Sequence, residues 1–384
     1  MSARRRSCWR SGSTASRRCC NPKSRAEPAG SLPFQLGIGD GGVARIVQAE
    51  HLPVLRLRGR HRGGRLRHPQ PPVDRRAGIR RQHVEIAHER RRAAGGLTLA
   101  DLAEPAPLEA PFPVTCRAAD ITDRAALDAL VTPETQVIFH LAAVVSAHAE
   151  ADFDAGMQVN LFGTLNLLER CRALGTCPVV VFTSSLAVFG GEVPDPVTDW
   201  TIPNPQTSYG AQKAIGELLL NDYSRKGYVD GRGFRLPTIA VRPGKPNRAA
   251  SSFMSSIIRE PLNGEPAVCP VDPDFEHYYL SPRRCVENLI KGAELDAAAL
   301  GQQRCMIMPG QRLSIRQMID AMTEVAGPAP AKLIRWEKQP EIEAIVKGWR
   351  YDYRPQKALD LGLAADAGFA ENVGFYLEDD TPAP

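Results

Sequence analysis

Pro178-Val-Val-Val-Phe-Thr-Ser-Ser185 is an unbroken apolar run that ends in three hydroxyl residues. A strand buried on one face alternates apolar and polar positions. A strand apolar at every position needs cover on both faces, which a parallel sheet flanked by helices supplies. The neighbouring segments agree. Leu97-Thr-Leu-Ala-Asp101, Val114 to Ala119 and Gln136-Val-Ile-Phe-His-Leu141 read as strands, and Ala125 to Val131 as a short helix. Asp152 to Leu174 carries Met157, Leu161, Leu165 and Leu168 at helical spacing and stops at Gly175. Downstream, a helix from Ser208 to about Ser224 and a strand through Arg235 to Val241 continue the alternation. Strands separated by helices imply right-handed crossovers, hence an α/β fold with a Rossmann-like doubly wound parallel sheet. After Arg242 the prolines 243, 246, 261, 266, 270 and 273 break the pattern, so 242–384 reads as a smaller, loop-rich C-terminal substrate-binding domain behind a first domain at 95–241.

The formal net charge of +5 conceals an asymmetry. Residues 1–92 hold 22 basic and 6 acidic residues, a balance of +16, whereas the remainder holds 26 and 37, a balance of −11. Clustered arginine suggests a basic arm for nucleic acid. The stretch has a single lysine and only Trp9 and Phe34 as aromatic residues, so base stacking has little to work with and no nucleic-acid partner is expected. Met1 to Arg25 is rich in Arg and Ser and free of acid, as transit peptides are. Runs such as Arg58-Gly-Arg-His-Arg-Gly-Gly-Arg-Leu-Arg67 also look like a GC-rich gene translated in the wrong frame. The segment 1–94 is therefore read as atypical, either disordered for want of apolar surface or mistranslated.

The whole chain, 384 residues with 43% hydrophobic and 24% charged, has the composition of a globular protein with a sizeable core. No apolar run approaches the ~20 residues of a membrane-spanning helix. Nine cysteines with no Cys-x-x-Cys pair argue against a disulfide framework and a zinc module, and point to a reducing, cytoplasmic setting with no metal.

Tyr209-Gly-Ala-Gln-Lys213 opens a helix and puts a phenol and an ammonium on one face, about a turn apart. An ammonium so placed is expected to lower the tyrosine pKa and fit Tyr209 to take a proton from a substrate hydroxyl. Taken alone, the same spacing also describes a surface tyrosine beside a surface lysine. Ser185 ends the apolar strand at the sheet edge where open α/β folds bind ligands, and its hydroxyl can face the tyrosine. A serine there can equally cap the next helix.

These residues, with Val188-Phe189-Gly190, Phe139-His-Leu-Ala-Ala143 and Asn160-Leu-Phe-Gly-Thr-Leu-Asn-Leu-Leu-Glu169, resemble the extended short-chain dehydrogenase/reductase family of NAD-dependent epimerases and dehydratases. Within it, Ser208 to Gly227, Arg235 to Asn247, Ala249 to Phe253 and Ile257 to Leu262 are similar to the group that oxidises D-erythronate. The resemblance runs over roughly 95–375. It implies an NAD cofactor, a small sugar-acid substrate oxidised at its C2 hydroxyl, and a homodimer built on the helix holding Tyr209 and the one before it. Tyr209 would be the base, Lys213 its tuner and ribose ligand, Ser185 the hydroxyl that binds the reacting oxygen, and Asn160 a supporting residue. Asp101 would hold the adenosine ribose, Asp120 and Ile121 the adenine edge, and Leu141, Ala142 and Ala143 would pass beneath the nicotinamide ribose. Arg242 and Arg283, with Lys245, are the candidate carboxylate anchors, each also readable as a surface charge. Ser251 and Ser252 could bind sugar hydroxyls or cap a helix near Phe253. Two further readings stay open: a nucleotide-sugar epimerase or dehydratase, and a catalytically impaired binding protein.

One part of the family pattern is not found. The glycine turn that holds a dinucleotide pyrophosphate belongs roughly 25 to 35 residues before Asp101. His68-Pro-Gln-Pro-Pro-Val-Asp-Arg-Arg-Ala-Gly-Ile79 stands there instead. Gly37-Ile-Gly-Asp-Gly-Gly42 has suitable spacing but lies much too far upstream. The first βα unit is therefore expected to be missing, the NAD-binding domain incomplete, and NAD binding poor.

Overall fold

A computed structural model describes residues 43–47, 95–108, 110, 112–244 and 251–380. The other residues, including nearly all of the atypical segment 1–94 and Lys245, lie outside that description. The strands in chain order are β1 (Val43–Val47), β2 (Gly96–Asp101), β3 (Val114–Ala118), β4 (Thr135–His140), β5 (Val179–Ser185), β6 (Val197–Thr198) and β7 (Asp230–Leu236). They continue with β8 (Thr238–Ile239), β9 (Ala267–Cys269), β10 (Glu276–Leu280), β11 (Cys305–Ile307), β12 (Gln311–Ser314), β13 (Ile334–Trp336) and β14 (Tyr353–Arg354).

Seven of them form one sheet in the order β11-β7-β5-β4-β1-β2-β3. Every pairing in it is parallel. The strand order turns back between β1 and β4, the switch point where such sheets hold ligands beyond their carboxyl ends. The expectation of a missing first unit is corrected in its strand: Val43–Val47 pairs with β2 on one side and β4 on the other. A central parallel strand must satisfy two ladders of backbone groups, and this short apolar-rich stretch meets that need. Gly37–Gly42 is joined to the amino end of β1, whereas a phosphate turn must leave the carboxyl end. The residues that follow β1, 48–94, lie outside the described residues.

The double cover expected for β5 is present. Val180 and Phe182 pack with Leu167, Leu168 and Leu220 on one face, and Val181 packs with Leu289 and Ala293 on the other. Each such side chain contributes about 1.5–3 kcal/mol of burial. The strand expected through Arg235 to Val241 instead begins at Asp230 and ends at Leu236. Pro237 has no N–H to give a ladder, and the chain beyond it joins β8 to a second sheet, ordered β12-β10-β8.

The C-terminal part is more helical than its prolines suggest. It carries helices Ser252–Leu262, Pro282–Glu294, Ile315–Ala326, Pro340–Lys347 and Phe369–Asp380. Pro282 and Pro340 stand in the first turn of their helices, where no amide partner is lost. Met254, Ile257, Ile258, Met318, Met322 and Val373 form its core. Among the described residues no helix is long and apolar enough to cross a membrane.

Candidate active site

Alternation along β5 sends its three terminal hydroxyls to different partners. Thr183 donates to the His140 carbonyl at 3.2 Å, and Ser184 donates to Glu217 Oε1 at 2.6 Å. Ser185 accepts from the Ala187 amide at 3.1 Å and stands near enough to the Tyr209 phenol to lower its pKa. The serine therefore caps the short 3-10 turn Leu186–Val188.

Tyr209 is delivered by the helix Ser208–Arg225. Thr207 Oγ1 caps it by accepting from the Gly210 amide at 3.1 Å, and Glu150 accepts from the Ser208 amide at 2.9 Å. The helix docks on β5 through two glycines. A Cβ on Gly216 would stand 2.7 Å from the Phe182 ring, and one on Gly210 would run into the Ala187 carbonyl. Lys213, 2% exposed, donates to the Thr183 carbonyl at 2.7 Å and lies over the rings of Phe182 and Tyr209.

The expected lowering of the tyrosine is not observed. Burial pushes the Tyr209 phenol up to about 12 against the Ser185 hydrogen bond, and burial brings the Lys213 ammonium down to about 7 against the pull of Glu217. The physical reason is placement. The ammonium is 5.7 Å from the ring centroid and spends a hydrogen bond on a carbonyl, while both groups lose water.

Asn160, 1% exposed, lies in a π-helical segment, Met157–Gly163, within the helix expected to be continuous. Its Oδ1 accepts from the Val144 amide at 2.8 Å, and its Nδ2 donates to the Val144 carbonyl at 3.0 Å and to Gln212 Oε1 at 2.8 Å. Asn160 thus ties the loop that contains Leu141, Ala142 and Ala143 to the tyrosine helix. That loop leaves β4 at the switch point.

The adenosine-side residues are mixed. Asp101 ends β2, with Oδ1 accepting from the Leu102 amide at 2.7 Å. Asp120 is exposed and its Oδ1 accepts from the amide and hydroxyl of Thr122, both at 2.8 Å. Ile121 is buried against Gly163, which leaves its side chain a core role.

Of the carboxylate candidates, Arg283 is corrected. It forms a two-point ion pair with Asp379 at 2.7 and 3.0 Å, reaches Glu378 at 3.0 Å and stacks on Phe375. Its guanidinium is engaged in holding the C-terminal helix. Arg242 has no acidic partner among the described residues. Burial lowers it to about 10, and the neighbouring Arg259 charge adds to that. Its amide donates to Ser255 Oγ at 3.2 Å, which seats it at the first turn of helix Ser252–Leu262. Ser251 makes no capping bond with its side chain, against expectation.

Three buried residues escaped the sequence reading: Gln212, Glu217 and Arg235. Glu217 and Arg235 form an ion pair at 2.7 Å. A signal existed, since a charge inside the strand Gly-Phe-Arg-Leu236 demands a buried partner.

The nicotinamide end of an NAD molecule fits these residues. Lys213 has given one of its three N–H groups to Thr183, leaving two for vicinal ribose hydroxyls.

The model of the NAD dependent epimerase/dehydratase family matches residues 81–274. A D-erythronate dehydrogenase of Cupriavidus necator is 51% identical over 283 residues, covering 74% of this chain and 87% of the relative. Another, of Haemophilus influenzae, is 45% identical over 285 residues and covers 74% and 90%. Among solved structures, the nucleoside-diphosphate-sugar epimerase from Agrobacterium tumefaciens superposes with a TM-score of 0.78 at 38% identity, covering 91% of this chain and 97% of that one.

Proposed function

The chain belongs to the NAD dependent epimerase/dehydratase family, and on that premise we propose that it is an NAD-dependent dehydrogenase of a small sugar acid, oxidising a C2 hydroxyl of the D-erythronate type to the 2-oxo acid. The observation that carries the reading is the grouping of Ser185 and Tyr209 around a buried Lys213 at the carboxyl end of β5.

Ser185 hydrogen-bonds the substrate C2 oxygen. Tyr209 accepts the hydroxyl proton as the carbonyl forms, and Lys213 binds ribose hydroxyls and offers positive charge beneath the phenolate. Bound NAD supplies the acceptor for the hydride that leaves C2. Asp101, preferring free ribose hydroxyls to a 2′-phosphate, and Asp120 serve the adenosine side, while Asn160 keeps the Leu141–Ala143 loop in place. Arg242 anchors the substrate carboxylate as a half-buried guanidinium with no acidic partner among the described residues.

The relatives at 45–51% identity favour the sugar acid over a nucleotide sugar. Absorbance of NADH formed with D-erythronate supports this reading; no NADH with D-erythronate, together with conversion of a UDP-sugar without net NADH, replaces it with the epimerase or dehydratase alternative. The proposal includes a homodimer through the exposed Phe162, Ile215 and Leu218, which lie on the tyrosine helix and its predecessor. Light scattering on Leu218→Glu, expected to be monomeric, tests it. The buried cysteines Cys171, Cys269, Cys285 and Cys305, free of disulfides, suit a cytoplasmic location.

A further inference from the structure

Lys213 and Glu217 stand four residues apart on one helix, and both are buried, yet they do not pair. Glu217 turns to Arg235 on β7. Arg235 Nε donates to Oε1 at 3.0 Å and to Oε2 at 3.2 Å, and its Nη2 donates to Oε2 at 2.7 Å. Ser184 gives Oε1 another donor, and it faces Arg235 directly across the β5–β7 ladder. The guanidinium also lies over the Phe189 ring at 4.9 Å and reaches the Asp199 carbonyl. One carboxylate therefore stands between two buried cations and bonds to only one of them.

The other cation has little else. Around Lys213 are the Thr183 carbonyl and two ring faces, with Tyr209 on its own helix and His140 on β4 as the remaining titratable neighbours. Burial keeps both of those neutral at neutral pH. Glu217 is the anion that acts on the ammonium.

We propose that Glu217 is a positioning residue, the counter-charge that keeps Lys213 protonated in its buried seat, and that Arg235 limits this by drawing the same carboxylate toward β7. The pair would then set how much positive charge lies beneath Tyr209. This deepens the dehydrogenase reading and rests on the roles given there to Tyr209 and Lys213.

The test is a pH titration of the full chain labelled with [ε-13C]lysine, followed by NMR without cofactor or substrate. The nine lysines give few signals, and loss of one in Lys213→Arg assigns the buried residue. Glu217→Gln is expected to move the Lys213 midpoint down by about one pH unit, and Arg235→Gln to move it up. A shared role in packing alone would not send the two in opposite directions. Midpoints that stay fixed, or move the same way, overturn the proposal. If Glu217→Gln does not fold, Glu217→Asp decides: the shortened carboxylate is expected to give a smaller downward shift, and no shift overturns the proposal. If Arg235→Gln does not fold, the Glu217 variants decide alone. Because no turnover is read, opposite shifts in a chain that forms no NADH would sink the enzymatic reading and leave this one standing.

Discussion

A Cβ built on Gly210 would stand 2.2 Å from the Ala187 carbonyl oxygen, so the tyrosine helix crosses the 3-10 turn after β5 at a distance only a hydrogen permits. The obstacle is backbone and cannot rotate away. Gly210→Ala is therefore expected to push Tyr209 off Ser185, costing about 1–3 kcal/mol of stability and at least tenfold in kcat. Urea unfolding alongside steady-state kinetics checks both, and an alanine variant with normal kcat would show that the close approach does not position the tyrosine.

Tyr209→Phe removes the proton acceptor and is expected to lower kcat by roughly 10²–10⁴, with Ser185→Ala causing a smaller loss. Since burial holds the phenol near 12, the wild-type oxidation rate should climb with pH from neutrality upward as Tyr209 gives up its proton. The phenylalanine variant should lose that climb. A pH–rate profile unchanged in Tyr209→Phe would assign the base elsewhere.

The two arginines should part company. Arg242→Met is expected to raise KM for the sugar acid at least tenfold with little change in stability, since it breaks no ion pair among the described residues. Arg283→Met should leave KM alone and destabilise by about 3 kcal/mol, because it removes the two-point ion pair that ties buried Asp379 of the C-terminal helix to helix Pro282–Glu294. Kinetics and thermal melts on both variants distinguish an anchor from a clasp.

Acid should unfold the protein early. His140 and His277 are both held neutral by burial, their pKa values lowered from 6.5 to about 3. Between those values the unfolded chain binds protons that the folded one refuses, so stability present above pH 6.5 is lost as pH falls toward 3. Each histidine contributes about 1.4 kcal/mol per pH unit in that window. His277→Gln should roughly halve the loss measured by urea unfolding at pH 7 and pH 5. An unaltered slope would place the acid sensitivity in other groups.

NAD should bind weakly. The chain leaving β1, Gln48-Ala-Glu-His-Leu-Pro53, has no glycine for close approach to a pyrophosphate, one proline without an amide hydrogen, and an acid that repels phosphate. Calorimetric titration is expected to give a dissociation constant well above the micromolar range, and micromolar affinity would contradict this.

The sheet from β2 to β5 was legible because each strand is a contiguous apolar run beside a helix with a clear period. Ser185, Tyr209 and Lys213 were legible because two sit on one helical face and the third ends a buried strand. β1 was not, since Val43–Val47 is short and stands far in sequence from its partners β2 and β4. The π segment was hidden because a periodicity of apolar residues does not register one inserted residue. Glu217 and Arg235 escaped for another reason: each reads as a surface charge until its partner on a different element is known. Arg283 misled for the same cause, its partner Asp379 lying almost a hundred residues away.

The extra residue in the π-helical turn at Met157–Gly163 has an engineering corollary. Deleting one residue there to regularise the helix would swing Asn160 by about 100° around its axis and release Val144. Thermostabilisation campaigns that idealise helices should leave this irregularity untouched, since smoothing it trades a grip on the nucleotide loop for propensity.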